Sequence, residues 1–563
     1  MTAGLALRER MTGSWSADES ADVGDLQEYR TAADEGELAG RVIDFELTLA
    51  SDDVERVMHD LATPMSVTGT ASIVGLVDAP VAIGTGTMEL VNPDDSVDPT
   101  VQHMRYHLPL PEADLHVEGF KVLTRGDLTQ LWGAATTLHV TIRRHDIQGS
   151  ILGRGIARIS PSGFAHQLTT LEITNETSEL DRMEQLAKFG AAFFGALWDD
   201  YGTVVHRSTR LNRHAAPRKH RPLAVPVAEI IGYRTADGVD LRLTRYRGGD
   251  RGPVVLCHGM GANPQTFSAD TIAPNIVEFL VGLGFDVWLQ EWRGSTSLPT
   301  AGMQFNGDQV AQFDHAAAEA KVREVTGRHD VHWVTHCVGS ITFMMATLAG
   351  WTTPASVVFS QAGAHPVAPT LTKLKTEMRT ASLLRVFGVK TLTTDSYDDE
   401  SIRARVFDFL LRFHPVPRDE RCASAVCRRL AFIYGIAVHH AAVNEATHNA
   451  LHELFGITDL TMMEHLSRCA REERLVTADG ANAYLPHVER ARLPMTFISG
   501  AHNLVWIPES TKRDYDWLVR ELGPDGFTRV VLDGHGHQDS FMGAAAFEDA
   551  FPVVLAHLER VGC

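Results

Sequence analysis

A chain of 563 residues exceeds what a single hydrophobic core fills, so two to four domains are expected. Its composition, 44% hydrophobic and 22% charged, excludes a mostly disordered protein. The formal charge of −20, from 51 basic and 71 acidic residues, disfavours a nucleic-acid partner, because a phosphate backbone calls for a net basic surface. The apolar run Ile341 to Trp351 is barely half the roughly 18 residues of a membrane span. Arg8, Arg10 and the acids after Ala17 interrupt any secretory segment, so a cytoplasmic protein is expected. Six cysteines do not make a disulfide scaffold in so long a chain. Cys422 and Cys427 are close enough to pair but are expected as two buried thiols. The cysteines lack the paired CxxC spacing of a structural zinc site, and no metal is expected.

Residues 1–60 hold 15 acids and 5 bases, half of the net charge, and residues 1–40 read as an acidic, flexible leader. Residues 41–205 carry strand signals every ten to fifteen positions: Ser66 to Val77, Gly84 to Val91, Val101 to Leu110, Gly119 to Leu123, Thr136 to Arg144 and Gln167 to Thr174. An amphipathic helix, Ser178 to Trp198, closes this zone, and an antiparallel sheet or partial barrel follows. Tyr201 to Pro226 has six Arg or Lys, three His and no acid, and residues 206–226 read as a basic linker facing solvent or the leader. Beyond it the pattern changes. A hairpin, Ala228 to Tyr246, precedes short apolar strands separated by helices: Pro253 to Cys257, Phe285 to Leu289, His332 to Thr335, Ser356 to Ser360, Met495 to Ser499 and Arg529 to Leu532. Such strands predict a parallel sheet covered on both faces. It spans residues 227–365 and 491–563. The interruption, residues 366–490, carries helical patterns at Leu371 to Phe387, Ile402 to His414 and Ser424 to Phe455, the material of a cap. No internal repeat is present.

The chemistry is concentrated in Val334-Thr335-His336-Cys337-Val338-Gly339-Ser340, between a strand and a helix. This stretch resembles the nucleophile elbow G-x-S-x-G of the α/β-hydrolase family. In that alignment Cys337 takes the serine position, Gly339 the last glycine, and Thr335 replaces the first glycine, crowding the turn. His258-Gly259-Met260-Gly261 follows a buried strand where the family keeps its oxyanion loop. Backbone N–H groups of Met260, or its neighbour Gly259, and of Val338 are implied as oxyanion donors. Glu291-Trp292-Arg293-Gly294-Ser295 follows the next strand, as in lipase-like members. Ser499-Gly500-Ala501-His502-Asn503 stands where the family carries its acid, and Gly536-His537-Gln538-Asp539 where it carries its histidine. The resemblance covers about residues 228–563 and implies an α/β-hydrolase core with a large helical cap behind a β-rich domain.

Two departures coincide. Serine needs a base and a carboxylate that stabilises the resulting imidazolium. A thiol at a helix N-terminus beside His⁺ can rest as a thiolate. Asn503 then needs only to orient His537, as in the Cys-His-Asn arrangement of papain-like proteases. The rival reading is decay, with both groups lost and the site inactive; the surviving oxyanion loop and His537 favour a working triad. Asn503→Ala is expected to slow turnover and Asn503→Asp to be tolerated. His535 is expected beside the pocket, Glu509 is the substitute acid, His336 packs under the elbow or tunes the thiol, and His258 belongs to the second layer. Cys257 is expected in the core, and His448 in a cap helix with a satisfied ring.

The Cys elbow is also similar to the G-x-C-x-G box of polyhydroxyalkanoate synthases, which pass an acyl group from a thioester to an alcohol. Gly119-Phe120-Lys121-Val122, Leu131-Trp132, Thr136-Thr137-Leu138, Gly153 to Ala157 and Phe193 to Tyr201 resemble a segment accompanying actinobacterial cholesterol-oxidase-like oxidoreductases. No G-x-G-x-x-G follows a strand, so neither flavin nor nicotinamide is implied. The expectation is an acyltransferase or an ester or thioester hydrolase without cofactor. It takes a bulky apolar acyl ester or thioester, free or carrier-bound, and passes the acyl group to an alcohol, an amine or water. The alternative is a non-catalytic lipid-binding or scaffold protein.

Overall fold

The computed structural model describes residues 4–17, 26–53, 63–92, 101–124, 136–160, 172–174, 216–377, 389–396 and 416–563, with isolated residues between these stretches. The chain divides into one unit of residues 1–206 and 401–415 and another of residues 207–400 and 416–563.

In the first unit the strands are β1 (Gly4–Ala17), β2 (Val42–Ser51), β3 (Met65–Ile73), β4 (Val77–Ala82), β5 (Gly86–Asn92), β6 (Val101–Leu110), β7 (Leu115–Thr124), β8 (Thr137–Arg144), β9 (Ile151–Arg158) and β10 (Glu172–Thr174). Antiparallel neighbours run β1-β2-β3-β5-β6-β7-β8-β9, and β9 pairs back onto β1, so eight strands close into a barrel. Closure removes the free edges that a partial barrel would leave. Residues 4–17 and 26–38 of the acidic opening are therefore a strand and a helix rather than a flexible leader. Leu5, Met11 and Trp15 alternate into the barrel core, and helix Leu26–Leu38 buries Tyr29, Ala32, Ala33 and Gly36. Glu9 points inward as well, where Lys121 donates to it at 2.5 Å and Tyr106 at 2.9 Å. The acid count concealed a strand whose second-residue period was intact. The expected closing helix Ser178 to Trp198 lies outside the described residues.

The second unit holds β11 (Glu229–Arg234), β12 (Asp240–Arg247), β13 (Arg251–Cys257), β14 (Phe285–Glu291), β15 (His332–His336), β16 (Ser356–Ser360), β17 (Thr391–Thr393), β18 (Ile457–Asp459), β19 (Met495–Gly500) and β20 (Phe527–Leu532). Eight of them form one sheet in the order β11-β12-β14-β13-β15-β16-β19-β20, antiparallel at β11 and β12 and parallel from β14 onward. This is the α/β-hydrolase arrangement that the motifs implied. Each parallel strand feeds two cores. On β13, Val254 and Leu256 join Ile276, Phe285 and Phe551 on one face, while Val255 and Cys257 join Trp288, Trp333 and Phe343 on the other. A fully buried aliphatic side chain contributes about 1.5–3 kcal/mol, so burial on both faces makes this sheet the rigid base of the site.

Two of the expected linker charges are held by acids of the second unit, while Lys219 and His220 face solvent as expected. Arg218 pairs with Asp270 at 2.7 Å and with Glu453 at 2.8 Å, and Arg221 with Glu278 at 2.6 Å. Acids of the core unit hold the segment down. In the cap, the pattern Ser424 to Phe455 is not one helix but helix Ala425–Ile433 followed by short turns His440–Ala442, Glu445–Asn449 and Leu451–Leu454. The break falls at Gly435, whose φ of 112° lets the chain pass close to the Leu504 carbonyl. Isolated bridges Ile436↔Leu504 and Ala262↔Phe455 tie the cap to the core. Helix Thr370–Glu377 covers part of the expected element Leu371 to Phe387, while residues 402–410 of the expected element Ile402 to His414 lie outside the described residues.

Candidate active site

The elbow is a strained backbone. Cys337 ends β15 with φ 57° and ψ −123° and leads into helix Val338–Ala349, a conformation that L residues adopt only when their surroundings enforce it. Two glycines permit it. A Cβ on Gly339 would lie 2.5 Å from the His258 carbonyl oxygen and 2.8 Å from Cys257 Sγ, and one on Gly259 would lie 2.8 Å from Cys337 Cβ. The elbow and the loop after β13 therefore press together through bare backbone. Thr335 does not crowd the turn. Its hydroxyl pairs with Ser340 Oγ at 3.0 Å and donates to the Val358 carbonyl. Gly259 serves as a spacer that lets the loop approach.

The backbone N–H groups of Val338 and Met260 and the Trp506 indole N–H favour the Cys337 thiolate. Burial outweighs them and pushes the thiol up to about 12. His537 is buried too and is driven well below the usual imidazole range, by desolvation first and by the neighbouring His336 second. Both groups rest neutral. Both shifts oppose the thiolate–imidazolium pair expected from the sequence, because burial disfavours each charged form. His537 Nε2 has no hydrogen-bond partner among the described residues.

The tautomer of His537 follows from its supports. Asn503 Oδ1 accepts from the backbone N–H of Val505 at 2.9 Å and of Trp506 at 3.2 Å, so this oxygen faces His537 Nδ1, 3.1 Å away. Nδ1 must carry the proton, which leaves the lone pair on Nε2. Asn503 Nδ2 donates to Gln361 Oε1 at 2.8 Å, and that oxygen also accepts from the Gly500 N–H at 3.0 Å. Gln361 Nε2 donates to Ser540 at 2.7 Å. Gln361 is itself buried with φ 78°. It sits just past β16 and carried no motif, so sequence reasoning missed it; a polar residue after a buried strand was the available signal.

The other named residues separate clearly. His336 is buried beneath the elbow, with Nδ1 3.1 Å from Ser360 Oγ and its ring 5.0 Å from that of His537. Burial lowers it to about 3. His258 stacks on Trp292 and donates from Nδ1 to the Gly259 carbonyl at 2.8 Å, which braces the loop after β13. His535 turns away to Asp549 at 3.0 Å, so its place beside the pocket is not realised. Glu509 pairs with Arg513 on its helix and offers His537 nothing. Tyr434, from the cap, was not anticipated. Its hydroxyl lies where a Cβ on Gly261 would be, buried and without a hydrogen-bond partner among the described residues. A cleft of about 880 Å³ lined by Arg218, Arg242, Glu291 and Glu453 includes none of the proposed catalytic residues, and those arginines are paired with carboxylates.

No family model matches the chain. Human lysosomal acid lipase/cholesteryl ester hydrolase is 29% identical over 141 residues, covering 20% of this chain and 35% of that protein. The lipase lipl-1 of Caenorhabditis elegans is 25% identical over 133 residues, covering 20% and 33%. The chain thus spans about a third of the length of the curated relatives it matches. Among solved structures, a thermostable carboxyl esterase from Bacillus coagulans covers 60% of this chain and 99% of its own, at 12% identity and a TM-score of 0.42. A monoacylglycerol lipase from Paleococcus ferrophilus covers 57% and 98%, at 15% identity and 0.35. No helix among the described residues is long and apolar enough to cross a membrane.

Proposed function

We propose that this chain is an acyl-transfer enzyme working through a thioester on Cys337. The observation that carries the reading is the strained elbow at Cys337, whose thiolate the Val338 and Met260 N–H groups favour, together with a buried His537 whose Nε2 lone pair is fixed by Asn503.

Because both partners rest neutral, attack and deprotonation are concerted. As Sγ bonds to the carbonyl carbon, its proton passes to His537 Nε2, and the carbonyl electron pair moves onto oxygen under the Met260 and Val338 N–H groups. Collapse expels the alkoxide or thiolate of the donor, which takes the proton from His537, leaving an acyl-Cys337 thioester. An alcohol, amine or water then gives its proton to His537, attacks the thioester, and releases the Cys337 sulfur, which is reprotonated. The burial that holds the thiol up excludes bulk water and favours transfer to an acceptor over hydrolysis. The lipase and cholesteryl ester hydrolase relatives support a bulky apolar ester, as does the likeness of residues 65–205 to a segment beside cholesterol-oxidase-like oxidoreductases. Thioesters, carrier-bound ones included, are equally compatible donors, and we assign the enzyme to the cytoplasm.

Intact-protein mass spectrometry after incubation with short and long acyl esters and thioesters tests this. A wild-type adduct absent from Cys337→Ala is expected. The competing reading is a lipid-binding protein on a hydrolase scaffold, and the raised thiol and the unpaired Nε2 favour it. In that case no adduct forms and lipid binding survives Cys337→Ala. Product formation that outpaces free acid when an acceptor is added distinguishes a transferase from a hydrolase.

A further inference from the structure

The cap contains a second constellation, remote in sequence from the elbow. Cys422 Sγ, Cys427 Sγ and one nitrogen each of His440 and His448 lie within 4.8 Å of one another. We infer that Cys422, Cys427, His440 and His448 form a tetrahedral zinc site that fastens the cap against the loop carrying His537. Neither the cysteine spacing nor the expectation of a satisfied His448 anticipated it.

The donor set is that of a closed structural site: two thiolates cancel the charge of the dication and two imidazoles complete four-coordination. Zn–S near 2.3 Å and Zn–N near 2.0 Å put tetrahedral ligand atoms roughly 3.3–3.8 Å apart. Cys427 Sγ and His448 Nε2 are already 3.2 Å apart, and the rings of His440 and His448 are 5.1 Å apart. Both thiols are free. The ligands come from four short pieces, a strand-like turn, the first turn of helix Ala425–Ile433, the turn at His440 and helix Glu445–Asn449. A segment so broken gains most from an internal cross-link.

The outer layer is in place. The Glu420 carboxylate accepts from His440 Nδ1 at 2.7 Å and from the His440 N–H at 3.0 Å. This fixes the tautomer, so that Nε2 presents its lone pair; that atom is buried and has no hydrogen-bond partner among the described residues. Carboxylate–histidine–metal relays of this kind orient zinc ligands and raise their basicity. The other Glu420 oxygen takes His439 Nδ1. His439 in turn donates its backbone N–H to Asp539 Oδ2 at 2.9 Å, the same oxygen that receives the Gly536 N–H at 2.6 Å. Two more bonds join the segments: Gln538 N–H to the Ala437 carbonyl at 2.9 Å and Ala544 N–H to the Ala442 carbonyl at 2.8 Å. The metal would clamp residues 437–442, and those residues grip both sides of His537.

Elemental analysis of the purified full chain tests the site. One zinc per chain is expected, lost in Cys422→Ser and in His440→Gln but retained in Cys563→Ser. X-ray absorption on the wild type needs no variant to fold and should show two sulfur and two nitrogen neighbours. Chelation should raise hydrogen exchange at residues 436–442 and 536–539 together. Background metal with no uptake of added Zn(II) or Co(II) overturns the site. So does a Cys422–Cys427 disulfide, seen as a mass two hydrogens below the reduced chain, or a zinc shell without sulfur. Zinc bound with unchanged exchange at 536–539 overturns the clamp.

Discussion

Cys337 and Cys427 are nearly equally buried, at 8% and 9% exposure, yet their surroundings differ in kind. Around Cys337 stand N–H donors and apolar walls, with neither a cation nor a carboxylate in contact among the described residues, and desolvation keeps the sulfur protonated. Cys427 has a second thiol and two imidazoles beside it; its hydrogen bond with Cys422 and then burial push Cys427 well up, while Cys422 is held far below the ordinary thiol range, first by Cys427 and then by His440 and His448. Burial alone thus says little about a thiol. A lone dry sulfur keeps its proton, whereas two sulfurs beside imidazoles divide the burden, with Cys427 protonated and Cys422 ionised.

The largest effects should separate the two sites. Cys337→Ala should abolish acylation. His537→Ala should reduce turnover by about 10⁶-fold, the scale seen when the base of a nucleophile–base pair is removed. Both variants should keep full zinc. If His537→Ala turned over as fast as wild type, the imidazole would have no part in moving the thiol proton, and the comparison would lose its catalytic half.

Alkylation rates distinguish neutral from ionised sulfur directly. With the Cys337 thiol near 12, below that pH its thiolate fraction rises tenfold per unit and keeps rising past pH 9, where an ordinary thiol levels off. At neutral pH Cys337 should react up to roughly 10³-fold more slowly than an unperturbed thiol. Iodoacetamide labelling followed by peptide mass spectrometry reads this against glutathione in the same mixture. A plateau beginning near pH 6 would instead reveal the thiolate–imidazolium pair.

Substitutions at the orienting residue come next. Asn503→Ala should cost roughly 10–100-fold in kcat, about 1–3 kcal/mol for a buried hydrogen-bonded orienter. The structure changes the expectation for Asn503→Asp. Gln361 Oε1 is pinned by the Gly500 N–H, so an aspartate oxygen would face another acceptor, and reversing the Gln361 amide would set its NH₂ against that same N–H. Asn503→Asp should therefore be slower than wild type, measured as kcat, and less stable by about 1–3 kcal/mol in denaturant titration. Wild-type behaviour would mean that Gln361 does not fix the orientation of Asn503.

These contrasts mark what the residues reveal without coordinates. The sheet of the second unit was legible because its strands are buried on both faces and need continuous apolar runs, as Val254 to Cys257 and Ser356 to Ser360 do. The close approach of the elbow and the loop after β13 was legible because it demands glycine at 259 and 339, and the pairing of Asn503 with His537 because each follows a buried strand. Charge misled twice. Glu9 hides inside a barrel because Lys121 and Tyr106 meet it from strands more than ninety residues away, and Arg218 and Arg221 find acids that are likewise distant in sequence. The ionisation of Cys337 and the role of Gln361 depend on packing density and on hydrogen bonds between loops, which no spacing encodes. The cap cluster escaped for the same reason: its cysteines and histidines converge only after helix Ala425–Ile433 breaks at Gly435.

The smallest effect belongs to the link between the two sulfur sites. Loss of the metal in Cys422→Ser removes a cross-link from the cap, and the melting temperature should fall by at least about 2–4 °C, the shift that 1 kcal/mol produces in a domain of 150–250 residues. Turnover should fall by less than about tenfold, because His537 feels the metal through its neighbours alone, Gly536 by way of Asp539 and His439 and Gln538 by way of Ala437, and one such contact is worth roughly 1 kcal/mol. The effect should appear in kcat rather than in the pH dependence of Cys337 alkylation, since no ligand of the cluster contributes to the ionisation of that thiol. A change in the alkylation profile of Cys422→Ser would mean that the two sites share their electrostatics as well as a strut.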